Sequence, residues 1–193
     1  MNTIVIYPGR FQPFGAHHAK AYRFLTSMFS SQNVYVATSN VVKLPESPFT
    51  FEEKLQFIKQ YVPSHMIQMC KNLYKAEEIL SNYDLNSIRV VFAYSYKDID
   101  RIAYIKNDGS QGYFLPYALF NKTQYTANQH GYILVLPEYN IKFHGRTLSG
   151  TYIRFLLKKM ADDPLNSSNI QEFKRLFGFF DKKIYNNVLN KFK

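Results

Sequence analysis

The sequence lacks several features that would define its class at once. It holds one cysteine, Cys70, and no tryptophan among 193 residues, so no disulfide can form within the chain and a reducing compartment is expected. No stretch reaches the roughly 18–20 apolar residues that a membrane-spanning helix needs. The N-terminus has no basic leader of the kind that begins a signal peptide. We therefore expect a cytoplasmic protein with no membrane partner.

Acidic residues are also scarce. The chain has 14 Asp and Glu against 24 Lys and Arg, a net charge of +10. Such a surplus attracts polyanions, which include nucleic acids and phosphorylated small molecules. Part of it lies in the C-terminal third, where solvated helix faces are an equally good explanation. Hydrophobic residues are plentiful at 46%, which allows a sizeable core and excludes global disorder.

Strand-like and helix-like segments alternate along the chain. The β-branched run Thr3–Tyr7 is typical of a buried parallel strand. Further strands are predicted at 33–38, 88–93 and 132–136, and helices at 18–29, 50–61 and 73–82. This alternation predicts an α/β fold with a mainly parallel sheet and helices on both faces.

Two regions depart from the alternation. Residues 107–131 are polar and aromatic with no clear period, and they predict a long loop. Two helices joined near Gly178 are predicted at the C-terminal end. We therefore expect a domain over residues 1–160 and a C-terminal helical extension, 161–193, packed on it.

The most informative segment runs from Gly9 to His18 and reads GRFQPFGAHH. It leaves the first predicted strand and enters the first predicted helix, where open α/β sheets bind ligands. Backbone N–H groups at a helix start favour an anion, and Gly9 permits close backbone approach. Arg10 offers a fork of donors to phosphate oxygens, and His18 offers one more. The segment predicts a phosphate-binding turn.

A second segment, Gly145 to Arg154, reads GRTLSGTYIR. Ser149 is a good N-cap for the helix predicted from Thr151 to Met160. The hydroxyls, the free N–H groups and Arg154 one turn into the helix predict a second anion site. Taken alone, this is an ordinary helix start. Together with the first segment it suits a triphosphate, with one site at the transferred phosphate and the other at the departing pyrophosphate.

Both segments resemble motifs of one superfamily. The first is similar to the GRFQPFHxGH signature of HxGH-type nucleotidyltransferases, above all nicotinamide mononucleotide (NMN) adenylyltransferases of the archaeal and phage type. The second is similar to their ISGTxIR motif. The resemblance implies a Rossmann-like fold and catalysis by His18, Arg10 and Arg154. It also implies nucleotide binding by a larger set: Gly9, Arg10, Phe11, Pro13, His18, Ser149, Thr151 and Arg154.

The match departs from the signature at its first histidine. Gly15 stands where the family has that histidine, and His17 stands where the family has glycine. The weight of catalysis therefore falls on His18 and the arginines. The sequence leaves His17 as a less favoured substitute.

Two weaker similarities concern the acceptor. The stretch PFTFEEK, 48–54, resembles an NPFTxxER-like segment that borders the acceptor site, which implies roles for Phe49 and Lys54. The stretch after the third predicted strand resembles a KDxDR-like segment of phage-type relatives, which implies roles for Lys97 and Asp98.

Local capping explains parts of the same stretches without any ligand. Thr50 and Glu53 form a capping box that predicts a helix start. Asp98 is an equally plausible N-cap for a helix through Ile105. These structural interpretations stay open beside the functional ones.

The resemblance implies an enzyme that makes NAD and pyrophosphate from ATP and NMN, by direct in-line attack of the acceptor phosphate. Such transfers can proceed by positioning and electrostatic stabilisation, and the sequence offers no nucleophile motif, since Cys70 stands alone and no G-x-S-x-G elbow is present. Mg²⁺ would bridge phosphate oxygens and keep several waters, so no protein metal ligand is expected. A phage-encoded chain would act in the host cytoplasm.

Alternatives stay open at this point. Cytidylyl transfer, or adenylyl transfer to another phosphate ester, is the nearest. A non-catalytic nucleotide- or nucleic-acid-binding protein is another, with Gly15 as its best support. Nucleic acid is less favoured because the 16 Tyr and 17 Phe are dispersed and not interleaved with a basic stripe. A homo-oligomer is compatible with the sequence.

Overall fold

The computed structural model describes residues 1–102, 104–106 and 108–193, apart from the side chains of Asp100 and Arg101. Contacts divide the chain into two compact units. The first comprises Met1–Gly9, Ala21–Ser39 and His65–Glu138, and the second comprises Arg10–Lys20, Asn40–Ser64 and Tyr139–Lys193. Helix α1, Ala16–Phe29, contributes residues to both.

The first unit is built on a six-stranded sheet in which each neighbouring pair of described strands is parallel. The strands are β1 Asn2–Pro8, β2 Val34–Thr38, β3 Ile67–Met69, β4 Ile88–Ser95, β5 Phe114–Pro116 and β6 Gly131–Leu136. Their order is β3-β2-β1-β4-β6-β5. The chain runs outward from β1 to β3 and then returns to β4 on the other side of β1. This reversal is typical of Rossmann-like folds and confirms the predicted fold class.

Burial explains why these segments form strands. Ile4, Val5 and Ile6 on β1 are at most 3% exposed, which means that both faces of the central strand are covered, as in parallel sheets generally. One face contributes to a core that also takes Val90 and Phe92 from β4. Such continuous apolar runs are favoured because burial of apolar area is the main stabilising contribution.

The predicted strands are confirmed as β1, β2, β4 and β6. The sequence pattern does not reveal β3 and β5, because their three residues each are too few to show a period. The helix predicted over 73–82 is wrong in its extent, since α3 covers only Glu77–Leu80. Ala76 precedes it with a φ of 46°, and this left-handed conformation prevents the helix from extending backwards.

The loop predicted over 107–131 is also partly wrong. Asn107 lies outside the described residues, but the rest contains β5 and a 3₁₀ helix, Tyr117–Leu119. Strand β5 pairs with β6 and places Phe114 beside Gly131. A Cβ at Gly131 would lie 2.8 Å from Cε1 of Tyr113. The segment therefore contains an edge strand that is packed closely against β6, and it is not one long irregular loop.

The second unit is mainly helical. Its elements are α2 Phe51–Ile58, the hairpin strands β7 Lys142–Phe143 and β8 Arg146–Thr147, and helices α4 Gly150–Asp162, α5 Ser167–Phe177 and α6 Lys182–Leu189. The two helices predicted around Gly178 are confirmed. Helix α5 ends there because Gly178 adopts a φ of 74°, a common helix C-terminus. Helix α4 crosses residue 160 without a break, and the division into 1–160 and 161–193 stays a prediction.

Candidate functional site

The turn between β1 and α1 is held by aromatic packing. The ring of Phe11 lies 5.1 Å from that of Phe14 and 5.0 Å from that of His18. Phe11 is 4% exposed and Phe14 is fully buried, and Pro13 is buried as well. Phe11 has a φ of 43°, a conformation that costs a non-glycine residue roughly 1–3 kcal/mol and persists only where its surroundings hold it. The turn is therefore a rigid, packed structure.

Gln12 ties this turn to the segment before α2. Its Nε2 donates to the Phe49 carbonyl oxygen at 3.0 Å, and the Phe49 N–H donates to its Oε1 at 2.9 Å. Gln12 is 5% exposed. Sequence reasoning did not give Gln12 a role, although the residue belongs to the resembling motif. Its side chain fixes the backbone of one site segment against another.

We predict that Gln12→Ala destabilises the fold. The substitution leaves a buried N–H and a buried C=O of Phe49 without their partners, at roughly 1–3 kcal/mol for each group. The free energy of unfolding, measured by urea titration, should fall by about 2 kcal/mol or more. Gln60→Ala, at an exposed glutamine, is the matched control. Equal losses in the two variants would contradict the role given to Gln12.

The donor nitrogen of His18 follows from one hydrogen bond. The Gly15 N–H donates to His18 Nδ1 at 3.1 Å, so the proton of the neutral ring resides on Nε2. Burial, with a smaller contribution from His17, lowers the pKa of His18 well below 6.5. At neutral pH, His18 is therefore an uncharged ring with its N–H at Nε2.

Gly15 is explained by close packing. A Cβ at this position would lie 2.7 Å from Cδ1 of Ile153 and 3.3 Å from Nδ1 of His17. Ile153 and His17 are therefore packed around a glycine at position 15, where the similar motif has its first histidine. A histidine at 15 would require Ile153 and His17 to move.

The second predicted segment begins α4 as expected. Ser149 is the N-cap, and its Oγ accepts from the Tyr152 N–H at 3.2 Å. Arg154 donates to Thr151 Oγ1 at 3.3 Å. The capping box of α2 is confirmed too, with Thr50 and Glu53 bonded in both directions.

The structure brings the two predicted segments together. The Arg154 guanidinium donates from Nη1 to the Gln12 carbonyl oxygen at 2.9 Å. A Cβ at Gly150 would lie 3.7 Å from the same oxygen, so the start of α4 lies directly against the turn. Both belong to the second unit. The start of α4 and the donors of the turn therefore belong to one local arrangement.

In the same unit, the charge of Arg10 acts on two other cationic side chains, Lys54 and Arg154. Burial and the charge of Arg10 lower the pKa of Lys54 to about 8. The same two causes lower the pKa of Arg154, while Glu46 opposes them. Lys54 has no exposed surface. Arg10 thus adds positive charge beside both Lys54 and Arg154, and such a cluster of cations favours an anionic ligand.

The pKa of Lys54 predicts a dependence of stability on pH. Because its folded value of about 8 lies below its ordinary value of 10.5, the unfolded chain binds the extra proton between these values. The free energy of unfolding should therefore rise as the pH increases from about 8 to 10.5. Lys54→Met should remove this part of the slope, measured by urea unfolding across that range. Lys59→Met, at an exposed lysine next to the same helix, should keep it, and an unchanged slope in Lys54→Met would contradict the assignment.

The remaining predicted residues are placed less favourably. The side chain of Phe49 is 1% exposed and packs on Phe57 and Phe192, so only its backbone borders the turn.

Lys97 and Asp98 lie in the first unit, in a 3₁₀ helix over Tyr96–Arg101. Asp98 as an N-cap is wrong: Ser95 holds that position and donates to Asp98 Oδ2 at 2.7 Å. Gly9 ends the first unit, where its N–H donates to Ala37 O at 3.0 Å.

Among the described residues, no group of three His, Cys, Asp or Glu side chains could hold a metal ion. Within that same part of the chain, no helix combines the length and the apolar character needed to cross a membrane.

Comparison with known proteins shows the fold. No family model and no curated protein matches this chain. A solved nicotinic acid mononucleotide adenylyltransferase from Plasmodium falciparum, complexed with APC, superposes with a TM-score of 0.52 at 11% identity, covering 98% of this chain and 96% of that one. The chain therefore shares the fold of this adenylyltransferase.

A second similar structure is a bifunctional NMN adenylyltransferase/ADP ribose pyrophosphatase from Francisella tularensis. It has a TM-score of 0.49 and 16% identity, and the match covers 98% of this chain and 49% of that one. This chain thus spans about half the length of the Francisella protein.

Proposed function

We propose that this chain is a nucleotidyltransferase, which joins the nucleoside monophosphate part of a triphosphate to a phosphate-bearing acceptor and releases pyrophosphate. The observation that carries the proposal is the 2.9 Å hydrogen bond from Arg154 to Gln12 O, because it joins the two segments that the sequence predicts to bind anions. The fold shared with the Plasmodium adenylyltransferase supports it.

Each segment has its own part in this proposal. Arg10 and His18 in the turn would contact the phosphate that is transferred. Ser149, Thr151 and the N–H groups at the start of α4 would hold the departing pyrophosphate. Arg154 touches both segments and would bridge the two. The resemblance also implies that Gly9, Phe11 and Pro13 take part in nucleotide binding.

The reaction needs no covalent intermediate with the protein. An oxygen of the acceptor phosphate attacks the α-phosphorus, and the bond from that phosphorus to the β-phosphate bridging oxygen breaks, with the electron pair leaving on pyrophosphate. The charge that builds on the phosphate oxygens would be stabilised by the neutral Nε2–H of His18 and by the arginines.

A divalent metal ion would enter with the triphosphate. The described part of the site is cationic, so its donors suit phosphate oxygens and not a cation. Mg²⁺ is commonly held by substrate phosphates and waters, and here it would partly neutralise the phosphate charge. Arg10, His18 and Arg154 would contact the phosphate oxygens that the metal leaves free.

ATP and NMN are the proposed substrates, and nicotinic acid mononucleotide is the variant that the Plasmodium protein's name supports. Lys54, buried beside Arg10, and the backbone of Phe49 would border the acceptor phosphate. The proposed contribution of Lys97 and Asp98 rests on the sequence resemblance alone.

A panel of substrates tests the function. Purified protein is incubated with Mg²⁺, either ATP or CTP, and one acceptor at a time, and pyrophosphate release is followed. We expect release with ATP and a pyridine mononucleotide. Release only with CTP, or only with another phosphate ester, would change the substrates and keep the reaction class. Tight nucleotide binding without release for any pair would instead support a non-catalytic binding protein.

A further inference from the structure

We propose that His17 and His18 act as a pair of N–H donors to one phosphate group, so that His17 supplies a contact which position 15 does not. This inference takes its ligand class, a polyphosphate, from the proposed function. It adds a second ligand-contacting residue in the turn.

The two rings lie side by side at the start of α1. Their centroids are 3.8 Å apart and their planes are inclined by 39°. Both residues are partly exposed. A ligand that reaches one ring is therefore within reach of the other.

The buried nitrogen of His17 is unusual. Nδ1 has no accessible surface and no hydrogen-bond partner among the described residues. Burial lowers the pKa of His17 to about 4, so the ring is neutral and carries one proton. Nδ1 is unpaired in either tautomer, but an orphaned buried N–H is rarer in proteins than an under-satisfied buried acceptor. The proton is therefore assigned to Nε2, at the other edge of a partly exposed ring.

The nitrogens of His18 are arranged in the same way for a different reason. Its Nδ1 accepts the Gly15 N–H at 3.1 Å, which also assigns its proton to Nε2. Two neighbouring neutral rings thus carry equivalent Nε2–H donors. Neutral donors can approach a phosphate without the mutual repulsion that two imidazolium rings would have at this distance.

Gly15 is what makes room for His17. A Cβ at 15 would lie 3.3 Å from Nδ1 of His17 and 2.7 Å from Cδ1 of Ile153. A larger residue would therefore press against both Ile153 and the His17 ring. The observed position of the His17 ring therefore depends on the absence of a side chain at position 15.

The test uses imidazole ¹⁵N shifts of the labelled wild-type protein during titration with inorganic tripolyphosphate. We expect Nε2 of both His17 and His18 to be the protonated nitrogen, and both to shift with the same apparent Kd. A shift of His18 alone would overturn the pair.

Two variants extend the test. His17→Phe keeps a ring and removes the donor, and we expect a tripolyphosphate affinity lower by roughly tenfold. His17→Gln restores a donor and should recover most of the loss. His65→Phe, the same change in the exposed part of another helix, should bind like wild type. Wild-type affinity in His17→Phe would overturn the pair.

These readouts separate the pair from the proposed function. If no substrate turns over but both histidines respond to tripolyphosphate, the pair stands and the catalytic proposal fails. If pyrophosphate is released and only His18 responds, the catalytic proposal stands and the pair fails.

Discussion

His18→Ala should lower kcat for pyrophosphate release by about 10²–10³-fold, the usual loss when one donor to a developing oxyanion is removed. The Gly15 N–H bond at 3.1 Å occupies Nδ1, so Nε2–H is the nitrogen that can donate to a phosphate. Loss of a contact that strengthens as charge builds on the phosphate lowers kcat more than it raises KM. Steady-state kinetics with saturating ATP and acceptor measure both constants.

Loss of packing is separated from loss of the donor by a second variant. His18 contacts Phe11 and Phe14, so alanine also opens space in the turn. His18→Phe keeps a ring there and should lose a similar factor in kcat. His65→Ala is the remote control and should be unaffected. A kcat within about threefold of wild type for both His18 variants, while the control is normal, would contradict the assignment.

Arg154→Ala should have the second large effect, because Arg154 serves two purposes. It is proposed to contact the triphosphate, and it anchors the turn through Gln12 O at 2.9 Å. We expect kcat/KM to fall by about 10²–10³-fold. We also expect the free energy of unfolding to fall by about 1–2 kcal/mol, because the lost hydrogen bond involves a charged donor. Kinetics and urea unfolding on the same preparation measure the two losses.

Arg154→Lys distinguishes charge from geometry. Lysine keeps the charge but cannot hold Gln12 O and a phosphate with one planar fork, so its kcat/KM should lie between wild type and Arg154→Ala. Lys158→Ala, an exposed cation one turn further along α4, should behave as wild type. If Arg154→Ala loses only stability and keeps its kcat/KM, Arg154 is a structural anchor and not a ligand-binding residue.

The local parts of the site could be predicted from the sequence. The buried run of β1, the Thr50–Glu53 capping box and the Ser149 cap depend on residues within a few positions of one another, and each is present. The α/β fold follows from the alternation of such local patterns. The two turns that are proposed to bind anions are therefore recognisable from local sequence patterns alone.

The contacts that assemble the site could not be predicted in this way. Gln12 and Phe49 are 37 positions apart, and Arg154 and Gln12 are 142 apart. No periodicity encodes such pairs, which depend on how the segments pack. Lys54 illustrates the same limit, because lysine is rarely fully buried and nothing in its neighbourhood predicts that it would be.

The position of Gly15 shows why a motif comparison alone was incomplete. The sequence presents it as a missing histidine. The structure shows Ile153 and His17 in the space where a side chain would begin. Only the packing reveals that the glycine and the neighbouring histidine belong together.

A crystal structure with a non-hydrolysable ATP analogue and Mg²⁺ tests the central claim most directly. We expect phosphate oxygens within hydrogen-bond distance of Arg10, of Nε2 of His18, and of Arg154 with the N–H groups at the start of α4. Phosphates bound elsewhere on the chain, with these donors contacting only protein or water, would contradict it.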